Sequence, residues 1–128
     1  MADTEADVLA LAERFVAAIE AGDIETLKAA CYAPDAEIWH NFDQVNQTVE
    51  QNLKVLGWMA KVLPQRRYDI LRRVVIPGGY LQQHVLRGKR PNGEDFAMPA
   101  CLVVMVKDGR ITRLEEYLDP AQAAVLAS

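Results

Sequence analysis

The residues best suited to chemistry are Glu116, His84 and Asn41, each inside a stretch that alternates apolar and polar side chains. Arg110-Ile111-Thr112-Arg113-Leu114-Glu115-Glu116-Tyr117-Leu118 reads with a period of two, which puts Thr112, Leu114, Glu116 and Leu118 on one face. That face is the apolar one. A carboxylate between two leucines on the buried side of a strand is disfavoured as an anion unless a partner answers it, which is how a general base is made. The alternative is a glutamate satisfied by a structural partner, such as an arginine from another element.

Gln82, His84 and Leu86 alternate onto one face of a second strand. If that face and the Glu116 face enclose one hollow, His84 stands two strands from Glu116, about 9–10 Å at the backbone, and both can reach one ligand or water. Otherwise His84 is a core histidine bonded to a backbone carbonyl. On a third strand Trp39 and Asn41 share a face and offer a ring wall and an amide that orients an oxygen, with His40 on the opposite side. A slip of one residue would exchange these faces.

The elements that must position these groups can be read in chain order. Thr4 with Asp7 forms a capping-box pattern, and Val8, Leu11, Ala12, Phe15, Val16 and Ile19 recur at helical spacing up to Gly22. Asp23 caps a short second helix that carries Ile24, Leu27 and Cys31 inward and is closed by Pro34-Asp35. Residues 37–42 read as a strand followed by a polar loop. Thr48 with Gln51 repeats the capping box and opens a helix, apolar on much of its circumference and expected to be well buried, that ends before Pro64.

From Arg66 the period is two, with Tyr68, Ile70, Val74 and Ile76 on one face. Pro77-Gly78-Gly79 turns the chain into a strand over residues 80–87. After a turn at residues 88–93, the strand at about 95–106 is apolar enough for burial on both faces, and Pro99 marks a bulge or an unpaired N–H within it. A three-residue loop at 107–109 would pair Glu116 with Ala100, and a two-residue Asp108-Gly109 turn would pair it with Cys101. The first is preferred: it sets Met98, Ala100 and Leu102 beside Glu116 and Leu118 as pocket wall, with Cys101 turned away. Residues 120–126 form a short terminal helix.

The expected architecture is α+β, a curved, mostly antiparallel sheet wrapped around N-terminal helices with a pocket between them. At 128 residues the chain is one domain. A net charge of -4, with Arg66-Arg67 and Arg72-Arg73 separated by apolar and acidic residues, argues against nucleic acid as a partner. Two distant cysteines and two lone histidines suggest neither a disulfide framework nor a metal site, and no glycine loop cradles a phosphate. The acidic start of the chain and the absence of a long apolar run lead us to expect a cytoplasmic protein that does not engage a membrane.

The element order, together with Gly22-Asp23-Ile24-Glu25, Asp108-Gly109-Arg110-Ile111 and Glu116-Tyr117-Leu118-Asp119, resembles the nuclear transport factor 2-like superfamily. That group includes SnoaL-like cyclases, ketosteroid isomerases and limonene epoxide hydrolase. The resemblance covers nearly the whole chain and implies one cone-shaped, SnoaL-like domain over residues 1–128, a fold that hosts many chemistries. The pocket residues are most similar to those of limonene epoxide hydrolase. Trp39-His40-Asn41 stands at that family's Tyr-x-Asn, Gln82-Gln83-His84 at its Arg-x-Asp, and Glu116 at its last aspartate. An amide and an imidazole therefore replace the arginine and aspartate. Compared with ketosteroid isomerase, Phe15 stands near the oxyanion tyrosine, Cys101 near the protonated aspartate and His40 near the general base, so isomerase activity is not carried over from that family.

The expected function is a cofactor-independent acid/base enzyme of epoxide hydrolase, isomerase or cyclase type, acting on a small hydrophobic oxygenated molecule. Glu116 is the expected base and His84 the acid, with Asn41 and Gln82 orienting the oxygen. The alternative is a non-catalytic module in which the same pocket binds a small ligand. A homodimer is expected in both cases, because an antiparallel sheet with a second apolar face needs a cover.

Overall fold

Reciprocal hydrogen bonds between Thr4 and Asp7, at 3.0 and 3.1 Å, start helix α1 (Glu5–Ala21), and Gly22 ends it in a left-handed conformation at φ 68°. The structure, a computed structural model, describes residues 3–128; Met1 and Ala2, the beginning of the acidic N-terminal stretch, lie outside the described residues. Asp23 caps the single turn α2 (Ile24–Thr26), which widens into a π-helical turn over Leu27–Cys31 and buries Leu27 and Cys31 completely. Strand β1 (Tyr32–His40) follows directly. Pro34-Asp35 therefore lies inside a strand, at the register irregularity between Tyr32 and Glu37, and does not close a helix as the sequence suggests.

The short strand β2 (Asn46–Gln47) pairs back onto β1 before the Thr48–Gln51 capping box opens α3 (Val49–Val62). This helix is less enclosed than its composition implies, since Val55 and Trp58 remain 42% and 47% exposed. Strands β3 (Arg67–Ile76), β4 (Gly79–Lys89), β5 (Asp95–Lys107) and β6 (Arg110–Leu118) form an antiparallel meander, and α4 (Pro120–Ala124) ends the chain. Strand order is β2-β1-β6-β5-β4-β3, with β1 parallel to β6 and the other pairings antiparallel. The architecture is thus α+β, with the helices on one side of a mixed sheet. Their apolar faces meet Ile38, Tyr80, Leu86, Met98, Leu102, Val104 and Leu114 in a single core.

Two bulges correct the expected registers. Asp108 and Gly109, at φ 52° and 74°, form a two-residue turn that pairs Lys107 with Arg110, and the register then shifts between Met105 and Val106. The slip pairs Glu116 with Leu102, and neither Ala100 nor Cys101 stands opposite it. Because the net displacement from Ala100 is two residues, the face assignment survives: Met98, Ala100 and Leu102 are buried on the Glu116 side, and Cys101 is half-buried on the other.

In β3 a register shift between Ile70 and Arg72 turns Val74 outward, where it is 41% exposed, and brings Arg73 opposite Gln82. Strand β5 is buried on one face only, alternating buried residues with exposed or half-exposed ones. Pro99 pairs with Val85 without a bulge and lies one residue beyond Ala100, where pairing with β6 has ended.

Candidate functional site

The face of β1 is decided by Ile38, which is 1% exposed and pairs with Leu114 of β6. His40 shares that face and pairs with Glu116. The concave side of the sheet therefore presents His40, not Trp39 and Asn41 as the sequence reading expects. Trp39 packs edge-on against Tyr117, with ring centroids 5.4 Å apart. The Asn41 amide is bonded to backbone at both of its ends: its Nδ2 donates to the Leu118 carbonyl at 3.1 Å and its Oδ1 accepts from the Leu118 N–H at 3.0 Å. It locks the end of β1 to the end of β6.

A cavity of about 40 Å³ lies between the concave face and the helices. Its walls are Phe15, Val16 and Ile19 of α1, Asn52 and Leu56 of α3, and Tyr32, Ile38, His40, Tyr68, Gln82, His84, Leu102, Leu114 and Glu116 of the sheet. Glu116, His84, Gln82 and Leu102 thus converge on one space. Met98 and Ala100 are buried on the same face but are not among its walls, and neither is Leu118, which pairs with Ala100.

His40 Nε2 lies 3.0 Å from Glu116 Oε1, and both side chains are largely buried. Burial disfavours the charged imidazole, but the hydrogen bond to Glu116 and the negative charges of Glu116 and Asp43 outweigh it, so His40 titrates above its ordinary value. Its Nδ1 is buried with no hydrogen-bond partner. An imidazole held by a carboxylate at one nitrogen and free at the other can take a proton at the free nitrogen, because the carboxylate stabilises the cation that results.

His84 is 1% exposed, and burial holds its titration below the ordinary value, with Glu116 opposing the shift and Arg73 adding to it. Its Nδ1 lies 2.9 Å from Gln82 Nε2, and its Nε2 is buried without a partner. Tyr68 stands edge-on to the ring at a centroid distance of 4.8 Å. The Tyr68 phenol is pushed far up by burial and by the Glu116 charge and is neutral. Across the cavity the Tyr32 hydroxyl donates to Asn52 Oδ1 at 2.7 Å.

The sequence reading does not place Tyr32, Asn52, Tyr68 or Arg73 in the site. Tyr68 carries a visible signal, since it leads the alternating run of β3, whereas Arg73 is hidden by the bulge. Among the described residues no group of three or more histidine, cysteine or acidic side chains is placed to hold a metal ion. No helix among them is long and apolar enough to cross a membrane.

The sequence matches the family model of the SnoaL-like domain over residues 12–114. The chain belongs to that family. No curated protein matches it by sequence at a significant level. Among solved structures, this SnoaL-like domain is similar to IdmH from Streptomyces antibioticus, a candidate polyketide cyclase, at 23% identity and a TM-score of 0.79, over 91% of this chain and 98% of that one. It is similar to AclR from Streptomyces galilaeus, a candidate hydroxylase, at 13% identity and a TM-score of 0.83, over 95% and 96% of the two chains. TerC, crystallised with polyporic acid, is 16% identical with a TM-score of 0.79, over 95% and 99%. At these identities the likeness establishes the nuclear transport factor 2-like fold and leaves the chemistry to the residues of the cavity.

Proposed function

We propose that this SnoaL-like domain is a cofactor-independent acid/base enzyme that transfers a proton at carbon in a hydrophobic, oxygenated small molecule, in the manner of a cyclase or isomerase. The carrying observation is the His40–Glu116 pair, with the unpartnered Nδ1 of His40 and Nε2 of His84 on side chains that line the same cavity. His40 Nδ1 takes the proton from carbon as Glu116 stabilises the imidazolium. The C–H electron pair moves to the substrate oxygen, which is held at His84 Nε2, and the proton returns when the new bond or double-bond position is set. Sequence reasoning gives the base to Glu116 alone; the 3.0 Å contact favours the pair.

Epoxide hydrolysis is less well supported. The two amides expected to orient an oxygen or a water are bonded within the protein, Asn41 to Leu118 and Gln82 to Arg73 and His84. The cyclase description of IdmH agrees with proton transfer at the level of fold.

A cavity of about 40 Å³ admits only a few water molecules, at roughly 10–15 Å³ each, so a substrate must displace side chains from its walls. That same tightness favours a second reading, a module that binds a small ligand without converting it. Incubation with enolisable polyketone-like compounds, enones and epoxides, followed by product analysis, separates the two. Conversion by the wild type that is lost in Glu116→Gln supports the enzyme, and stabilisation against heat without conversion supports the binding module.

The convex sheet face, with Cys101, Val103 and Met105 half-exposed and Tyr117 44% exposed, suits a homodimer. Sedimentation showing only monomer at micromolar concentration would overturn that part of the proposal.

A further inference from the structure

The outer wall of the site contains a chain of three polar side chains that ends at His84. Arg73 donates from Nε and Nη2 to the same oxygen, Gln82 Oε1, at 2.9 and 2.7 Å, and Gln82 Nε2 lies 2.9 Å from His84 Nδ1. The bulge between Ile70 and Arg72 makes this chain possible, because it shifts the register so that Arg73 stands opposite Gln82 and Ile70 opposite His84.

Proton positions follow from donor and acceptor counting. A guanidinium has donors only, so the Gln82 atom it grips from two nitrogens must be the carbonyl oxygen. The other Gln82 atom is then the NH₂ group, which also only donates, and the His84 nitrogen facing it must be the acceptor. In a neutral imidazole that leaves the proton on Nε2, the buried atom without a protein partner.

We propose that Arg73 and Gln82 are positioning residues that fix His84 as the Nε2–H tautomer, a neutral donor presented to a substrate oxygen. The presentation to substrate rests on the acid/base reading of the cavity; the tautomer does not. Reversing it would set Nδ1–H against the Gln82 NH₂, and relieving that clash by rotating the amide would turn the NH₂ toward Arg73, again donor against donor. Both bonds of the guanidinium would be lost. Gln82 is fully buried, so water does not replace them. Tyr68 stands edge-on to the His84 ring, and the Glu116 charge acts on that ring from the wall of the same cavity.

The test is nitrogen-detected NMR of the His84 ring at neutral pH in the full chain, with no substrate present. The wild type is expected to show a protonated Nε2 and a bare Nδ1. Gln82→Glu keeps the size and the Arg73 contact but offers His84 an acceptor, so Nδ1 becomes protonated and the pattern inverts or becomes imidazolium. Arg73→Lys should keep the wild-type pattern and Arg73→Met should blur it into a tautomer mixture. A protonated Nδ1 in the wild type, or an unchanged pattern in folded Gln82→Glu, would overturn the relay. Because the readout needs no turnover, a relay that is present in a protein converting nothing would count against the enzyme reading alone.

Discussion

His40 Nε2 stands 3.0 Å from Glu116 Oε1 across the parallel pairing of β1 and β6, while His84 on β4, a wall of the same cavity, has its Nε2 buried without a protein partner. The two histidines of the chain thus line one cavity with titrations shifted in opposite directions. For His40 burial lowers the titration but the Glu116 carboxylate outweighs it and raises the value, whereas for His84 burial prevails and lowers it.

This opposition predicts the pH dependence of stability. His40 titrates in the folded protein above its unfolded value of 6.5, so its contribution is fully present below that value and is lost as pH rises through the folded one. His84 titrates below 6.5 in the folded protein, so stability associated with it is lost as pH falls. Glu116→Gln removes the group that raises His40 and the one that opposes the His84 shift. The variant should lose stability more steeply than the wild type between about pH 7 and pH 5, read as urea midpoints across that range.

Asn41 looks like a catalytic amide in sequence and behaves as a clamp in the fold. Asn41→Ala removes two hydrogen bonds to Leu118 and leaves a backbone N–H and C=O at a partly buried strand end. A loss of about 1–3 kcal/mol in urea unfolding is expected, with the His40 and His84 titrations unchanged.

The capping boxes at Thr4 and Thr48, the glycine stop of α1 and the order of the elements are legible in sequence because each rests on contacts a few residues apart. Gln82, His84 and Leu86 also fall together as alternation requires. What alternation cannot carry is parity through an extra residue. The bulge near Thr112 and the one near Leu71 each insert a residue into one strand only, and nothing local to either sequence announces them. Arg73 therefore falls, by alternation, on the face opposite Tyr68 and Ile70 and is found beside Gln82. The Trp39 and His40 faces are ambiguous for a different reason: both rings suit either side of a strand, and Ile38, buried against Leu114, decides the matter only once β1 is paired.

Arg66, 7% exposed, donates from Nε and Nη2 to the Ile19 carbonyl at 3.0 and 2.7 Å and from Nη1 to the Leu63 carbonyl at 3.2 Å. A fixed cation thus adds to the bonds that the Gly22 N–H makes to the Ile19 carbonyl at the end of α1 and the Arg66 N–H makes to the Leu63 carbonyl at the end of α3. Arg66→Met keeps much of the apolar stem and loses these bonds. A destabilisation of about 2–3 kcal/mol is expected, and the α1 wall of the cavity should loosen, read as faster amide exchange at the last turn of α1.

Gly79 opens β4 opposite Met105, and a Cβ at its position would lie 1.8 Å from the Val104 carbonyl oxygen. The obstacle is backbone, which cannot swing aside like a side chain. Gly79→Ala must therefore pry β4 from β5 at the end of the hairpin, and a loss of about 3 kcal/mol or more, with a lowered unfolding midpoint, is expected. Gly93, whose Cβ would meet open space but whose φ is 88°, gives the contrasting case in which alanine costs backbone strain alone, about 1–2 kcal/mol.

Leu102 lies in register between Gln82 on β4 and Glu116 on β6 and lines the cavity with both. It is 5% exposed, so Leu102→Ala should cost about 2–5 kcal/mol through lost burial and residual void. The void adds to the present 40 Å³ between Gln82 and Glu116. If a ligand must reach both, the alanine variant should accept bulkier compounds than the wild type, seen as larger thermal stabilisation by the same panel despite its lower starting midpoint. Leu102→Phe fills the same space instead and should abolish that stabilisation at a stability cost of about 1–3 kcal/mol. Equal ligand responses in both variants would place the ligand elsewhere in the protein.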